Sequence, residues 1–175
     1  MAILTTSPRL TLRSLEREDI PHSVDMWCDA ETMRYMGGPR ERTKLLAYID
    51  DLLTHEDATD IHTPNQFWTA IQTHTNEYIG DFGLIQKEVD GAVETELVYL
   101  VAKHHWGNGY ATEGARALAD YAFAVAGLSR LVSLVDPEHI ASQRVAEKVG
   151  MTFERETVRS NGRTMRIYSI LNESV

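Results

Sequence analysis

Apolar positions along the chain recur with two different periods, and the changes of period divide it into elements. Leu10-Thr11-Leu12-Arg13 alternates and predicts a first strand. Asp19 stands where an N-cap would, ahead of a helix predicted from Ile20 to Arg34. Met36-Gly37-Gly38-Pro39 stops that helix, because two glycines and a proline cannot continue it cheaply. A second helix is predicted from Arg40 to Thr54, with Leu45, Leu46, Ile49, Leu52 and Leu53 on one face. His55 to Asn65 reads as a polar loop.

The middle of the chain changes to period two. Gln66 to Gln72 alternates, with Phe67, Thr69 and Ile71 on one face, and Thr73 to Glu77 reads as a turn. Tyr78 to Val89 is a longer strand in which Gly80 and Gly83 suggest bulges or close backbone approach. Asp90-Gly91 is a strong hairpin signal, and the next strand runs from Val93 to Ala102. Helical spacing then returns in Ala111, Ala115, Leu118, Ala119, Ala122 and Phe123, with Gly127 as the stop. Leu131 to Val135 is a short buried strand ended by Asp136-Pro137. A helix near Ser142 to Val149 stops at Gly150, and Met151 returns to a strand. Asn161-Gly162 marks a second hairpin, closed by a strand from Arg163 to Leu171. The order is β-α-α-β-β-β-α-β-α-β-β. Three successive middle strands imply a mixed α/β (α+β) sheet with an antiparallel part, not a doubly wound one.

Between the strand ending at Ala102 and the helix beginning near Ala111 lies a glycine-rich loop, His104 to Ala115. Its glycines permit tight turns, and the amides opening the following helix have no internal partner, which suits a phosphate. A P-loop requires Lys-Ser/Thr after its last glycine, and Tyr110-Ala111 stands there instead. A dinucleotide fingerprint requires a small residue three positions after the second glycine; Thr112 occupies it and Gly114 is out of register. The third reading is the pyrophosphate loop Gln/Arg-x-x-Gly-x-Gly/Ala of the GNAT N-acetyltransferases, read here as His104-x-x-Gly107-x-Gly109. The string Trp106-Gly107-Asn108-Gly109-Tyr110-Ala111-Thr112-Glu113-Gly114 closely resembles the branch of that superfamily typified by the ribosomal-protein N-acetyltransferases RimJ and RimL. A second stretch, Asp136 to Met151, is similar to the branch's Asn-x-x-Ser-x-x-Val-x-Glu-Lys-x-Gly-Phe. Ser142, Val145, Glu147, Lys148 and Gly150 agree, while His139 replaces the Asn and Met151 the Phe.

The resemblance implies the GNAT fold: a mixed, largely antiparallel twisted sheet, flanked by helices, with a central parallel strand pair splayed into a V that receives acetyl-CoA. Carried over, the V lies between Leu100-Val101-Ala102, whose backbone would hold the pantetheine arm, and Leu131 to Val135. Gly107, Asn108, Gly109, Tyr110, Ala111 and Thr112 would hold the pyrophosphate, with Tyr110 a cofactor contact or part of the core. His139 would stand in for the Asn that touches the pantetheine arm. The implied reaction is direct attack of an amine on the thioester. The amine must be neutral, so a general base helps. Glu96, in Glu96-Leu97-Val98-Tyr99, matches the family's Glu-Ile-Gly-Tyr and is the candidate base; Glu94, on the same strand face, is the alternate. The tyrosine that many members use as general acid is replaced by Ala146, and the branch's serine maps to Ser142, as acid or as helix N-cap. The acceptor would enter near Met36 to Arg40 and His55 to Asn65, past Trp27, Arg34 and Tyr35. It would be a small-molecule amine or a protein N-terminus.

Composition narrows this reading. The 175 residues, 43% hydrophobic, suffice for a single domain spanning 1–175. A net charge of −9 argues against broad nucleic-acid binding. No apolar run approaches a membrane span, and the start of the chain lacks the pattern of a signal peptide. Cys28 is the single cysteine, expected to be a buried structural thiol, and fits a cytoplasmic location. The seven histidines lack His-x-x-x-His spacing, so no metal is expected. The resemblance is compatible with a homodimer. Two other readings stand beside it: a catalytically inactive acyl-CoA-binding or regulatory domain, and a nucleotide-binding protein of another class.

Overall fold

The alternating segments assemble into one eight-stranded sheet in the computed structural model of the chain. The structure describes residues 2–54 and 66–172, the side chains of Leu52 and Thr54 excepted. The loop expected at His55 to Asn65 and the place of Leu52 on its helix therefore lie outside the described residues. The strands are β1 (Ile3–Thr6), β2 (Leu10–Arg13), β3 (Gln66–Gln72), β4 (Tyr78–Val89), β5 (Ala92–Val101), β6 (Arg130–Val135), β7 (Thr152–Val158) and β8 (Thr164–Leu171). The helices are α1 (Ile20–Cys28), α2 (Arg42–Thr54), α3 (Tyr110–Ala124) and α4 (Ile140–Val149). Strand order is β1-β2-β3-β4-β5-β6-β8-β7, and every neighbouring pair is antiparallel except β5–β6. This is the mixed, largely antiparallel sheet with one parallel pair that the element order and the resemblance lead one to expect.

The central strands are covered on both faces, so their apolar alternation is incomplete. One face, with Leu10, Leu12, Trp68, Phe82 and Leu97, packs under α3 and α4 through Ala115, Leu118, Ala122, Ala146 and Val149. The other, with Ile71, Tyr78, Val98 and Leu100, packs under Met26 of α1 and Met33 after it. In β3 both faces are buried, not only the Phe67, Thr69 and Ile71 face. Asp90 and Gly91 both take positive φ, 51° and 84°, and close the β4–β5 hairpin where the dipeptide predicted it. Gly114 is a packing residue: a Cβ there would come within 2.5 Å of the Phe82 ring, so its absence seats α3 against β4.

Four departures from the expected elements are seen. β1 has no alternation to announce it; it exists by pairing with β2, Ile3 opposite Arg13. α1 ends at Cys28, six residues before the expected Arg34, because the Asp29 carboxylate takes the Thr32 N–H and hydroxyl, each at 2.7 Å. An Asp side chain that offers the backbone a turn competes with the helix. Asp19 holds the N-cap position of α1 without capping it; its carboxylate binds Arg13 at 2.6 Å and the Glu16 N–H at 2.8 Å. α4 begins at Ile140, so its N-cap is His139 and not Ser142. Of the α2 face, Ile49 is buried while Leu46 is 42% exposed, and Cys28 is half-buried, not buried.

Candidate functional site

The parallel pair is held at one register position, Glu96 opposite Val132. One residue further on, the Ser133 hydroxyl donates to the Leu97 carbonyl at 2.8 Å, in place of a backbone bond. Beyond that, Tyr99 reaches past β6 to α4. Its hydroxyl donates to the Ser142 carbonyl at 3.0 Å and shares a second 3.0 Å hydrogen bond with Ser142 Oγ. A helix turn has thus replaced the strand partner, and β5 and β6 part. The Ala102 N–H donates to the Ile79 carbonyl of β4 at 2.9 Å. Along an antiparallel ladder the backbone groups alternate sides, so Leu100 also faces β4, while Tyr99 and Val101 face the opening. Of the expected Leu100, Val101 and Ala102, then, Val101 alone turns its backbone to the cleft, and Tyr99 joins it. The Val101 carbonyl accepts the Trp106 indole N–H at 2.7 Å, which leaves the N–H of Val101 for a ligand.

The glycine loop lies at the end of β5, after a short 3-10 turn at Lys103–His105. Gly107 and Gly109 have φ of 79° and 82°, a region that a side chain enters only at a cost. The first helical bond of α3 runs from the Glu113 N–H to the Gly109 carbonyl, 3.1 Å. The amides of Tyr110, Ala111 and Thr112 precede it and carry the positive end of the helix dipole. The Asn108 side chain folds back on the His105 carbonyl at 3.1 Å, bracing the loop from inside. Sequence reasoning missed Arg9 and the role of Glu113. Glu113 accepts the Arg9 N–H and Nε–H and the Ser7 hydroxyl at 2.7–2.8 Å, and Arg9 also donates to the Asn108 carbonyl at 3.1 Å. Burial raises the Glu113 carboxyl, but these bonds outweigh it and hold the pKa below its usual range. The β1–β2 turn is thereby fastened to the loop, and no local pattern around Arg9 announces it.

Glu96 is buried on the α1 side of the sheet, where the strands begin to part. One carboxylate oxygen pairs with Lys87, and the other accepts the Leu134 N–H at 3.3 Å. Glu94 instead pairs with Arg130 at 3.1 Å. His139, at the N-cap of α4, stacks on Tyr35 with ring centroids 4.3 Å apart; burial lowers its pKa, against the pull of Asp136. Arg163 of the β7–β8 turn binds Asp136 at 2.8 Å and the Tyr35 carbonyl at 3.2 Å, tying three connections into one rim. Trp27, expected to line the acceptor path, spends its indole N–H on the buried Asp81 at 2.8 Å, and Arg34 lies over Tyr35. Burial raises the Asp81 carboxyl despite its donors Ser23, Trp27 and Thr69. His104 is exposed, and Ala146, fully buried, has a methyl group with no proton to give.

Desolvation pushes the Tyr99 phenol up to about 12, with Ser142 pulling the other way. A phenol with a raised folded-state pKa stabilises the fold below its unfolded value of about 10, and that contribution is lost as pH rises from there toward 12. An alkaline absorbance titration is therefore expected to show a late tyrosinate amplitude that is smaller by one phenol in Tyr99→Phe, the remainder belonging to Tyr78, which burial also raises well above the ordinary tyrosine value. The same late amplitude in both proteins would refute the assignment.

The family model of the acetyltransferase (GNAT) domain matches residues 9–152. An N-acetyltransferase of uncharacterised role from Bacillus licheniformis, p20, is 30% identical over 91% of this chain and 90% of its own. The crystal structure of an acetyltransferase from Agrobacterium tumefaciens is 31% identical, superposes with a TM-score of 0.76, and is covered over 95% of its length and 97% of this chain. A spermidine N-acetyltransferase from Vibrio cholerae, crystallised with CoA and spermine, has the same fold at 23% identity, with a TM-score of 0.76 over 95% of this chain and 97% of its own.

Proposed function

The chain belongs to the GNAT acetyltransferase family and is an acetyl-CoA-dependent N-acetyltransferase; from that premise we propose that it acetylates a primary amine with Glu96 as general base. The observation that carries this reading is the position of Glu96 at the point where β5 and β6 separate, on the face opposite α3 and α4. An acceptor arriving past α1 would meet the carboxylate there, and a bridging water would relay the proton. The backbone of Tyr99 and Val101 would hold the pantetheine arm and polarise the thioester carbonyl, Gly107 to Thr112 the pyrophosphate, and His139 the flank of the arm. The amine nitrogen bonds to the carbonyl carbon, the C–S bond breaks, and CoA leaves as a thiolate. Ser142, hydrogen-bonded to the Tyr99 phenol, would hydrogen-bond the departing sulfur and relay to it a proton taken up from solvent, while the proton taken by Glu96 leaves to solvent through the bridging water. A thiolate departs without much help, so this proton is an aid and not a requirement.

A small-molecule amine is the first acceptor class in this reading, with the spermine seen in the Vibrio protein as its support; a protein N-terminus, as in the RimJ/RimL-like branch, is the other. We place the whole chain, 1–175, in one such domain with a cytoplasmic location. No described helix is long and apolar enough to cross a membrane.

Calorimetric titration with acetyl-CoA, CoA, ATP and NADH, followed by thiol release against polyamines, amino acids and short peptides, tests the proposal. Expected are acetyl-CoA binding and thiol release with at least one primary amine. Gly109→Val should weaken acetyl-CoA roughly tenfold, since a branched side chain at that φ costs about 1–2 kcal/mol. Binding with no thiol release from any amine would favour the inactive acyl-CoA-binding alternative. Binding of ATP or NADH alone would overturn the cofactor assignment.

A further inference from the structure

His105 is a buried imidazole with one nitrogen left over. The residue is 8% exposed, and Nε2 has no hydrogen-bond partner. The ring also hydrogen-bonds the backbone of Tyr78, which leaves Nδ1 as the nitrogen so engaged. If Nδ1 carries the N–H, Nε2 presents a bare lone pair. What it faces is another acceptor: Glu77 Oε1, 3.4 Å away in the turn before β4. Two acceptors at that distance repel each other unless a cation lies between them.

A third donor stands beside them. The His104 ring is 4.0 Å from that of His105, and the ligand atoms of Glu77, His104 and His105 all lie within 4.8 Å of one another. Ligands around a tetrahedral zinc at 2.0–2.1 Å are about 3.3 Å apart. The His105–Glu77 pair has that spacing already, and His104, being exposed, can swing the remainder. Two imidazoles and a carboxylate suit zinc better than calcium or magnesium. A metal-bound histidine also commonly gives its second nitrogen to a backbone carbonyl, the part Tyr78 plays here. Glu77 and His104 line a cavity of ≈ 420 Å³ shared with Glu16 and His22, so a water or a further side chain can complete the shell.

We propose that Glu77, His104 and His105 hold a zinc ion. The ion ties the β3–β4 turn to the segment that runs straight into Trp106 and Gly107, and so braces the glycine loop from its N-terminal side. The histidines are adjacent in sequence and the carboxylate comes from a distant turn, so no ligand-spacing motif records the site. The proposal does not rest on the acetyl-transfer reading.

The test is a zinc chloride titration of protein stripped with EDTA and dialysed, followed by calorimetry and by thermal unfolding. One equivalent is expected to bind with micromolar or tighter Kd and to raise Tm. Glu77→Gln and His104→Ala should each weaken zinc about 10–100-fold while leaving the metal-free Tm nearly unchanged, since both side chains are exposed. His74→Ala, in the same turn, should bind as wild type does. Absence of zinc binding, as expected if only a proton bridges His105 and Glu77, overturns the proposal. So does binding that survives both variants.

Discussion

Glu96→Gln is expected to lower kcat by about 10²–10³-fold, roughly 3–4 kcal/mol, with acetyl-CoA affinity within about twofold of wild type. The amide keeps the shape and can still accept from the Leu134 N–H, but it cannot take a proton. Lys87 loses its partner and, being 34% exposed, turns to solvent at little cost to the fold. The residual rate should rise with pH, because a higher pH supplies neutral amine without a base. Glu94→Gln should cost less than about threefold, since that carboxylate is occupied by Arg130. A Glu96→Gln enzyme that keeps most of its kcat while Glu94→Gln loses it would transfer the role to Glu94. If both variants stay active, neither is the base.

Gly80→Ala should be the most damaging small substitution in the sheet. A Cβ built at Gly80 falls 2.0 Å from the Leu100 carbonyl oxygen and 2.9 Å from Val101 Cα. Those are backbone atoms, so no rotamer change relieves the contact and β5 itself must move. The expected loss is at least about 3 kcal/mol, a Tm decrease of roughly 6–12 °C. The displaced segment includes Val101, whose N–H faces the cleft, so protein that still folds should bind acetyl-CoA more weakly. Gly37→Ala is the control: nothing lies within 4 Å of its Cβ, and only its φ of +89° opposes the change, by about 1–2 kcal/mol. Equal Tm values for the two variants would mean that close strand approach is not what Gly80 provides.

The acceptor side was the least readable part of the site. Trp27 and Tyr35 were candidate lining residues, and each is committed to another partner, Asp81 and His139. Arg163 joins that rim from a hairpin whose turn was predicted from Asn161-Gly162, but nothing in the hairpin says which way its arginine points. Tyr99 closes the Glu96-Leu97-Val98-Tyr99 stretch, and nothing along the chain gives it a role. Its hydroxyl found one only when α4 came within 3.0 Å.

The sequence alone determined what depends on neighbours along the chain. β3 and β4 begin and end where their turn residues predict, Asp90-Gly91 turns, and the glycine loop feeds a helix. Steric limits on φ and the period of burial act over a few residues, so they are written locally. Only the tertiary structure decided what depends on approach between distant segments. The Glu113–Arg9 clasp, the Gly80–Leu100 contact, the pairing of β1, and the parting of β5 from β6 over Tyr99 and Ser142 are of this kind. Each arises where two surfaces meet at contact distance, and packing of the whole sheet, not any residue's own preference, sets that distance.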